Sequence, residues 1–285
     1  MKARFGIPVL DELRLCYVAE PLLLEELSKV AVGSSIVIET FVLYRIVGDR
    51  FEFMFTICAD GVEVATLKYG RYGAAESMYV FLKVSNHVLY DEGMLRQVLS
   101  FPEMMGMLFN NFTSIDIAMD YTKNISSIIK RMMRNDQLKT ILNGKHLKDR
   151  KRVIPGVDFD YSTSLSKLHC PTITLRQAKA ARSKDKGITV QSYDKMAEIA
   201  LQSKKDYILD YYGHPQRLYR LEVRLHYQEL QDYCRKAGVP QSIEMVFNPA
   251  FLESAFYYHL SSVLRFSKGR KKLQWADIIA NNGKV

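Results

Sequence analysis

Little in this chain announces the commonest small-site chemistries. Only 4 of its 285 residues are cysteine, and Cys16, Cys58, Cys170 and Cys234 lie far apart with no CxxC pair. That spacing argues against a zinc ribbon or a thioredoxin-type site and for reduced, mostly buried thiols. The 6 histidines, His87, His146, His169, His214, His226 and His259, are scattered, and each reads as a core or surface residue before a ligand. No apolar run reaches the roughly 18 residues of a membrane span, and the segment Met1-Lys2-Ala3-Arg4-Phe5-Gly6-Ile7-Pro8 lacks the apolar stretch of a signal peptide. A cytoplasmic protein with no membrane partner is expected. There is no internal repeat and no low-complexity tract.

Acid is also in short supply. With 31 Asp and Glu against 40 Lys and Arg, the formal charge is +9. Each Lys or Arg that neutralises a phosphate releases a counterion, so this excess favours a polyanionic partner. A basic membrane-surface protein would gather its charge on an amphipathic helix beside exposed apolar residues, and no such segment stands outside the expected core. At 48% hydrophobic and 25% charged residues, the chain has ample material for one large globular domain or two smaller ones.

Patterning along the chain predicts an α+β fold with a central antiparallel sheet flanked by helices. A strand at Asp11 to Val18 and a short helix at Leu22 to Val30 lead to strands at Ser35 to Tyr44, Arg50 to Ile57, Val62 to Tyr69 and Ser77 to Val84, a meander with a turn at Asp60-Gly61. A helix over Asp91 to Leu108 precedes a strand at Asn111 to Tyr121. Helical spacing of Ile125, Ile128, Ile129 and Met132 predicts a helix from Asn124 to Leu142. From Asn143 to Lys186 basic residues lie among Gly, Ser and Pro, which reads as exposed loops and short strands. A helix to about Leu209, a strand at Leu218 to Tyr227 and helices at Ile243 to Phe266 and Leu273 to Ala280 follow, with Ser267 to Lys272 a basic break. The domain division expected is 1–110, a β-rich part; 111–266, a catalytic part; and 267–285, a basic helical tail. The first part reads either as a DNA-reading domain or as the first of two similar halves.

Three segments carry chemistry. Tyr193-Asp194-Lys195 sits where the strand Gly187 to Ser192 meets the helix-like Met196 to Ala200. A phenolate can attack phosphorus and remain as a stable ester, and Lys195 offers a cation two residues away; the same tripeptide is also an ordinary strand-to-helix junction, with Lys195 spaced to pair with Glu198. In Phe112 to Asp120, strand alternation puts Asp116, Ala118 and Asp120 on one face, where two carboxylates and a small residue can hold a hard divalent cation. In Arg220-Leu221-Glu222-Val223-Arg224-Leu225, Arg220, Glu222 and Arg224 share a face opposite Leu221, Val223 and Leu225. Either polar face also fits the solvent side of an amphipathic sheet.

Taken in order, these segments resemble the replication initiation proteins of small plasmids and phages that start rolling-circle replication, the family typified by staphylococcal plasmid initiators. The resemblance runs from about Asp11 to about Tyr258. Thr113 to Asp120 is similar to the family's strand T-R-hydrophobic-D-hydrophobic-A-hydrophobic-D, with Ser114 in place of the basic residue. Ser183, Gly187 to Lys195 with Glu198, and Tyr219 to Arg224 carry the rest.

What the resemblance implies is an HUH-nickase-like fold and a metal-dependent nickase and strand transferase. Because the chain has no His-x-His, the metal, Mg²⁺ or Mn²⁺, is expected among Asp116, Asp120 and Glu222. Tyr193 would become a 5′-phosphotyrosine and free a 3′-OH primer, Lys195 would steady the developing charge, and Glu222 would be a ligand or take the tyrosine proton. Arg176, Lys179, Arg182, Lys184, Lys186, Arg220 and Arg224 are the expected DNA contacts, with Arg220 and Arg224 alternatively pairing with Glu222. Implied partners are single-stranded or hairpin origin DNA, a host helicase and polymerase, and a second copy of the chain. Tyr161, Tyr207, Tyr211 and Tyr212 stand as possible second tyrosines. Two rival readings remain open: an origin-binding protein without catalysis, and a metal-dependent nuclease that uses water.

Overall fold

The structure, a computed structural model, describes residues 5–48, 50–71, 78–146, 157–160, 172–176 and 187–284, with the backbone alone described at 71, 157–160 and 176. The chain opens with strand β1 (Pro8–Val18) and helix α1 (Pro21–Ser28). Pro21 starts that helix, where its missing N–H would be unpaired in any case. Strands β2 (Ser35–Ile38), β3 (Phe41–Ile46), β4 (Phe51–Ala59), β5 (Val62–Arg71) and β6 (Tyr79–Val84) follow as a meander. Helix α2 (Glu92–Met104) begins at Asp91, whose carboxylate accepts from the Met94 N–H at 3.0 Å. The long strand β7 (Leu108–Tyr121) leads to α3 (Ile125–Arg134), capped by the Asn124 side chain on the Ser127 N–H at 2.9 Å.

Short strands come next: β8 (Lys139–Leu142), β9 (Lys145–His146), β10 (Val157–Asp160) and β11 (Thr172–Arg176). Strand β12 (Thr189–Asp194) runs into helices α4 (Lys195–Glu198) and α5 (Asp206–Tyr212). Strand β13 (Tyr219–His226) is continued by α6 (Tyr227–Ala237). The chain ends with α7 (Pro249–Val263), the hairpin of β14 (Leu264–Lys268) and β15 (Lys271–Lys272), and α8 (Trp275–Ala280).

Two compact units result, each α+β with antiparallel strands flanked by helices. One comprises Leu10–Ile115 and Leu230–Phe247, with strands in the order β7-β1-β6-β5-β4-β3-β2. Its core joins strand positions Leu13, Leu15, Leu43, Phe55 and Leu67 to α2, where Phe101 meets Phe41 edge-on at 5.0 Å between ring centroids. The other comprises Met1–Val9, Asp116–Glu229 and Asn248–Val285. It holds strands in the order β10-β11-β12-β13-β7 and a second sheet ordered β15-β14-β8-β9.

In this second unit α3 decides which sheet face is free for chemistry. Ile125, Ile128, Ile129 and Met132 are buried, and the Ser126 hydroxyl meets that of Ser192 on β12 at 2.9 Å. The β12 face with Val190 and Ser192 is thereby the core side. Alternation puts Thr189, Gln191 and Tyr193 on the opposite face.

Several elements differ from the sequence reading. Ser35 to Tyr44 is not one strand: β2 turns into β3 at Glu39-Thr40, with Glu39 at φ 52°. Alternation passes through that turn unbroken and no glycine marks it. Helix α3 stops at Arg134, and the Asn135 carboxamide accepts from the Gln137 N–H at 2.9 Å, which frees Lys139–Leu142 to pair with β14. The helix expected to run to Leu209 is broken by a π-helical turn at Ile199–Ser203 and by Lys204 at φ 56°. Helix α6 has no counterpart in the reading, because its buried Leu230, Tyr233 and Cys234 are thinly spaced among charged residues.

The region expected to be a basic tail belongs to the second unit. Ser267 and Lys268 pair with Lys272 and Lys271 as a hairpin, and the single tryptophan, Trp275, is 3% exposed. Its indole N–H donates to the Leu264 carbonyl at 2.9 Å, and its ring meets Phe266 edge-on at 5.6 Å. Trp275→Ala is therefore expected to cost about 3–5 kcal/mol of stability, the usual loss for emptying a buried aromatic site, read as a lowered denaturation midpoint.

Candidate active site

Three strands bring the chemistry-bearing residues together. β12 and β13 pair antiparallel, with Thr189 opposite Arg224, Gln191 opposite Glu222 and Tyr193 opposite Arg220. β7 flanks β13 on its other side. Across that boundary Arg224 binds Asp116 and Arg220 binds Asp120. The alternation legible in each strand thus becomes one polar face.

On that face each arginine has its own carboxylate. Arg220 donates from Nε to Asp120 Oδ1 at 2.8 Å and from Nη2 to Asp120 Oδ2 at 2.6 Å, and both side chains are 0% exposed. A buried bidentate pair of this kind satisfies both groups and holds two strands in one register. Arg220, expected as a DNA contact, and Asp120, expected as a metal ligand, are thus placed against each other in the interior.

Arg224 is different. Its side chain is 40% exposed, and it binds Asp116 Oδ2 at 2.7 Å and Glu222 Oε1 at 3.5 Å. It therefore bridges the two remaining carboxylates, which are themselves buried at 2% and 4% exposure. Among the described residues no three His, Cys, Asp or Glu side chains are grouped to hold a metal ion. The donor set left by the Arg220 pair is two carboxylates, Asp116 and Glu222. That set fits Mg²⁺, which keeps several waters and commonly takes one or two carboxylates together with a substrate phosphate.

Tyr193 lies in β12 itself, one residue before the cap of α4, where the Asp194 carboxylate accepts from the Ala197 N–H at 2.9 Å. Its direct cross-strand partner is Arg220, but the long side chain leans along the sheet and donates its hydroxyl proton to Glu222 Oε2 at 3.1 Å. Lys195 is not the surface lysine that its helical spacing allows. It is 1% exposed, its ammonium is 2.8 Å from Glu198 Oε2, and the same nitrogen is 5.7 Å from the centroid of the Tyr193 ring. A buried cation is thus held beside the phenol, within reach of its ring quadrupole.

Other expected residues are placed as follows. Lys179, Arg182, Lys184 and Lys186, like Ser183 and Tyr161, lie outside the described residues, as does the side chain of Arg176. Tyr212 is buried and stacked on Phe5 at 5.2 Å, and Tyr211 meets Tyr212 edge-on at 5.0 Å. Burial first, and then the negative charge of Asp120, push the Tyr211 phenol above its ordinary pKa, which keeps it protonated. Ser114, the departure from the family strand, donates to Glu12 at 3.3 Å. Gln191, opposite Glu222, went unmarked in the sequence; its position two residues before Tyr193 in a strand was the available signal.

No family model matches this chain, and no curated protein matches it. Among solved structures, the chain is similar to the rolling circle replication initiator protein from Geobacillus stearothermophilus, with 12% identity, 96% of each chain covered and a TM-score of 0.45.

Proposed function

We propose that this protein is a rolling-circle replication initiator that nicks one DNA strand by transesterification at Tyr193. The observation that carries the reading is the hydrogen bond from the Tyr193 hydroxyl to Glu222 Oε2, 3.1 Å, beside the buried Lys195 ammonium. A nucleophile in hydrogen-bond reach of a carboxylate base, with a cation nearby, is the geometry that tyrosine transesterification needs.

The step balances as follows. The Tyr193 proton passes to Glu222 Oε2 as the phenolic oxygen bonds to phosphorus. The bond from phosphorus to the 3′-oxygen breaks, and that oxygen takes the proton from Glu222, leaving a 5′-phosphotyrosine and a free 3′-OH. Lys195 offsets the negative charge gathering at the phenol, and Arg224, the exposed arginine of the face, binds a phosphate of the strand. A divalent cation, Mg²⁺ or Mn²⁺, would be held by Asp116 and Glu222 and when bound supplies Lewis-acid polarisation of the phosphate. The substrate is single-stranded or hairpin origin DNA in a cytoplasm; a host polymerase to use the 3′-OH, a host helicase and a homodimer complete the proposed setting.

The test is a denaturing gel of the protein incubated with Mn²⁺ or Mg²⁺ and labelled single-stranded DNA from its own replicon, with the adduct site mapped by mass spectrometry. An adduct on Tyr193 is expected. Cleavage without an adduct would transfer the reading to a water-using nuclease, and binding without cleavage to a plain origin-binding protein. Glu222→Gln, which keeps the shape but removes the base, is expected to slow adduct formation by about 10²–10⁴-fold with oligonucleotide affinity little changed, as measured by single-turnover kinetics and filter binding.

A further inference from the structure

The first unit has a polar sheet face of its own. Alternation turns one row of its strands, Leu15, Leu82, Leu67 and Phe55, to the core. The rows on either side point the other way. One crosses β1, β6, β5, β4 and β3 as Arg14, Lys83, Thr66, Thr56 and Tyr44, each directly opposite the next. The other, two residues along each strand, is Cys16, Phe81, Lys68, Met54 and Ile46. Neither row contains an acid. Tyr44 is 46% exposed and Lys83 is also exposed, and neither makes a hydrogen bond or ion pair among the described residues. The Phe81 ring lies 5.6 Å from that of Phe51, whose centroid is 6.0 Å from the Lys68 ammonium. Rings and cations thus alternate over one face. Of the acids nearby, Glu12 is held by Arg14 at 2.8 Å and by Ser114 at 3.3 Å, and Glu52 and Glu63 stand near the starts of β4 and β5, outside both rows.

Rings spaced among cations suit a strand whose bases are unpaired. A base stacks on an aromatic side chain only when its own faces are free, while lysines between the rings neutralise the backbone phosphates. A duplex keeps its base faces inside the stack, and a protein partner would call for a continuous apolar patch, which the lysines interrupt. With neighbouring strands about 4.8 Å apart, Arg14 and Tyr44 are separated by about 19 Å across four intervals, room for several nucleotides. Resting on the nicking reading for the class of its ligand, we propose that this face of the first unit is a second site for single-stranded DNA. Tyr44 and Phe81 take bases and Lys83 and Lys68 hold phosphates. The site accepts any sequence, because every base has a π-face, and it binds by side chains other than Tyr193, Glu222 and Arg224.

The test uses the full-length protein with a labelled oligothymidine strand in EDTA, and reads affinity by fluorescence anisotropy over a range of salt. Tyr44→Ala is expected to weaken binding about fivefold or more, the usual effect of losing one stacked base. Lys83→Gln should weaken it too and make the salt slope shallower by about 0.7, the share of one phosphate contact on a single strand. Both side chains are exposed, so the denaturation midpoints should not move. A strand carrying 5-iodouracil should crosslink under ultraviolet light to Tyr44 or Phe81, as mapped by mass spectrometry, and its duplex should not. Unchanged affinity and salt slope in both variants, crosslinks confined to other residues, or equal crosslinking of the duplex to Tyr44 or Phe81 overturns the platform. The nicking reading is measured apart from it: with Mn²⁺ and saturating DNA, Tyr44→Ala should form the Tyr193 adduct as the unaltered protein does. An adduct with no effect of Tyr44 or Lys83 on binding removes the platform and leaves nicking standing. Crosslinks to Tyr44 or Phe81 with no adduct do the reverse.

Discussion

Tyr193→Phe is expected to abolish the covalent protein–DNA adduct and to lower strand cleavage by about four orders of magnitude or more, as loss of a nucleophile does elsewhere. The change deletes one oxygen and leaves a ring that is only partly buried, so the neighbours of β12 keep their places. One cost accompanies it: the buried Glu222 loses one of its hydrogen-bond donors, a loss that costs about 1–3 kcal/mol. A denaturation midpoint measured on the same sample separates that cost from the loss of chemistry. Affinity for single-stranded DNA should stay near that of the unaltered protein, because Arg224 does not depend on the Tyr193 hydroxyl. Cleavage that persists in the variant would show that water or another residue is the nucleophile. The Tyr211 phenol, protonated through burial and the nearby Asp120, is poorly disposed to substitute.

The second large effect is on stability. Asp120→Ala would leave the Arg220 guanidinium charged, enclosed and without the carboxylate that binds it at 2.6 and 2.8 Å. Breaking a buried pair by removing one partner costs about 3–5 kcal/mol, far more than the pair is worth against a well-packed apolar replacement. The double change Asp120→Leu with Arg220→Met should therefore recover much of the loss, and urea unfolding of the two variants measures the difference. If Arg220 only braces β7 against β13, the double variant keeps its affinity for single-stranded DNA. A protein of unchanged stability but much weaker DNA binding would instead make Arg220 a phosphate contact and refute its enclosure.

How much of this was legible in the residues follows their physics. Period-two alternation put Asp116 with Asp120, and Arg220 with Glu222 and Arg224, because adjacent side chains of a strand point to opposite faces whatever else the chain does. The amphipathic spacing of Ile125, Ile128, Ile129 and Met132 gave α3 for the same local reason. The ends of elements were harder. Glu39 and Lys204 adopt left-handed conformations usually left to glycine or asparagine, so neither turn left a mark in composition. The basic hairpin at Ser267 to Lys272 looked like a loose tail because its order comes from β8 and Trp275, not from itself.

By itself, then, the sequence determined the excess of positive charge, the α+β character and the three polar strand faces, all properties of local spacing and composition. Only the tertiary structure decided which arginine meets which carboxylate. Asp120 and Arg220 are 100 residues apart, and Asp116 and Arg224 are 108 apart. Their pairing is set by the register of β7, β12 and β13, and a two-residue slip along a strand would keep every face and exchange every partner. That register encloses Arg220, leaves Arg224 half in solvent between two acids, and sets the Tyr193 hydroxyl on Glu222.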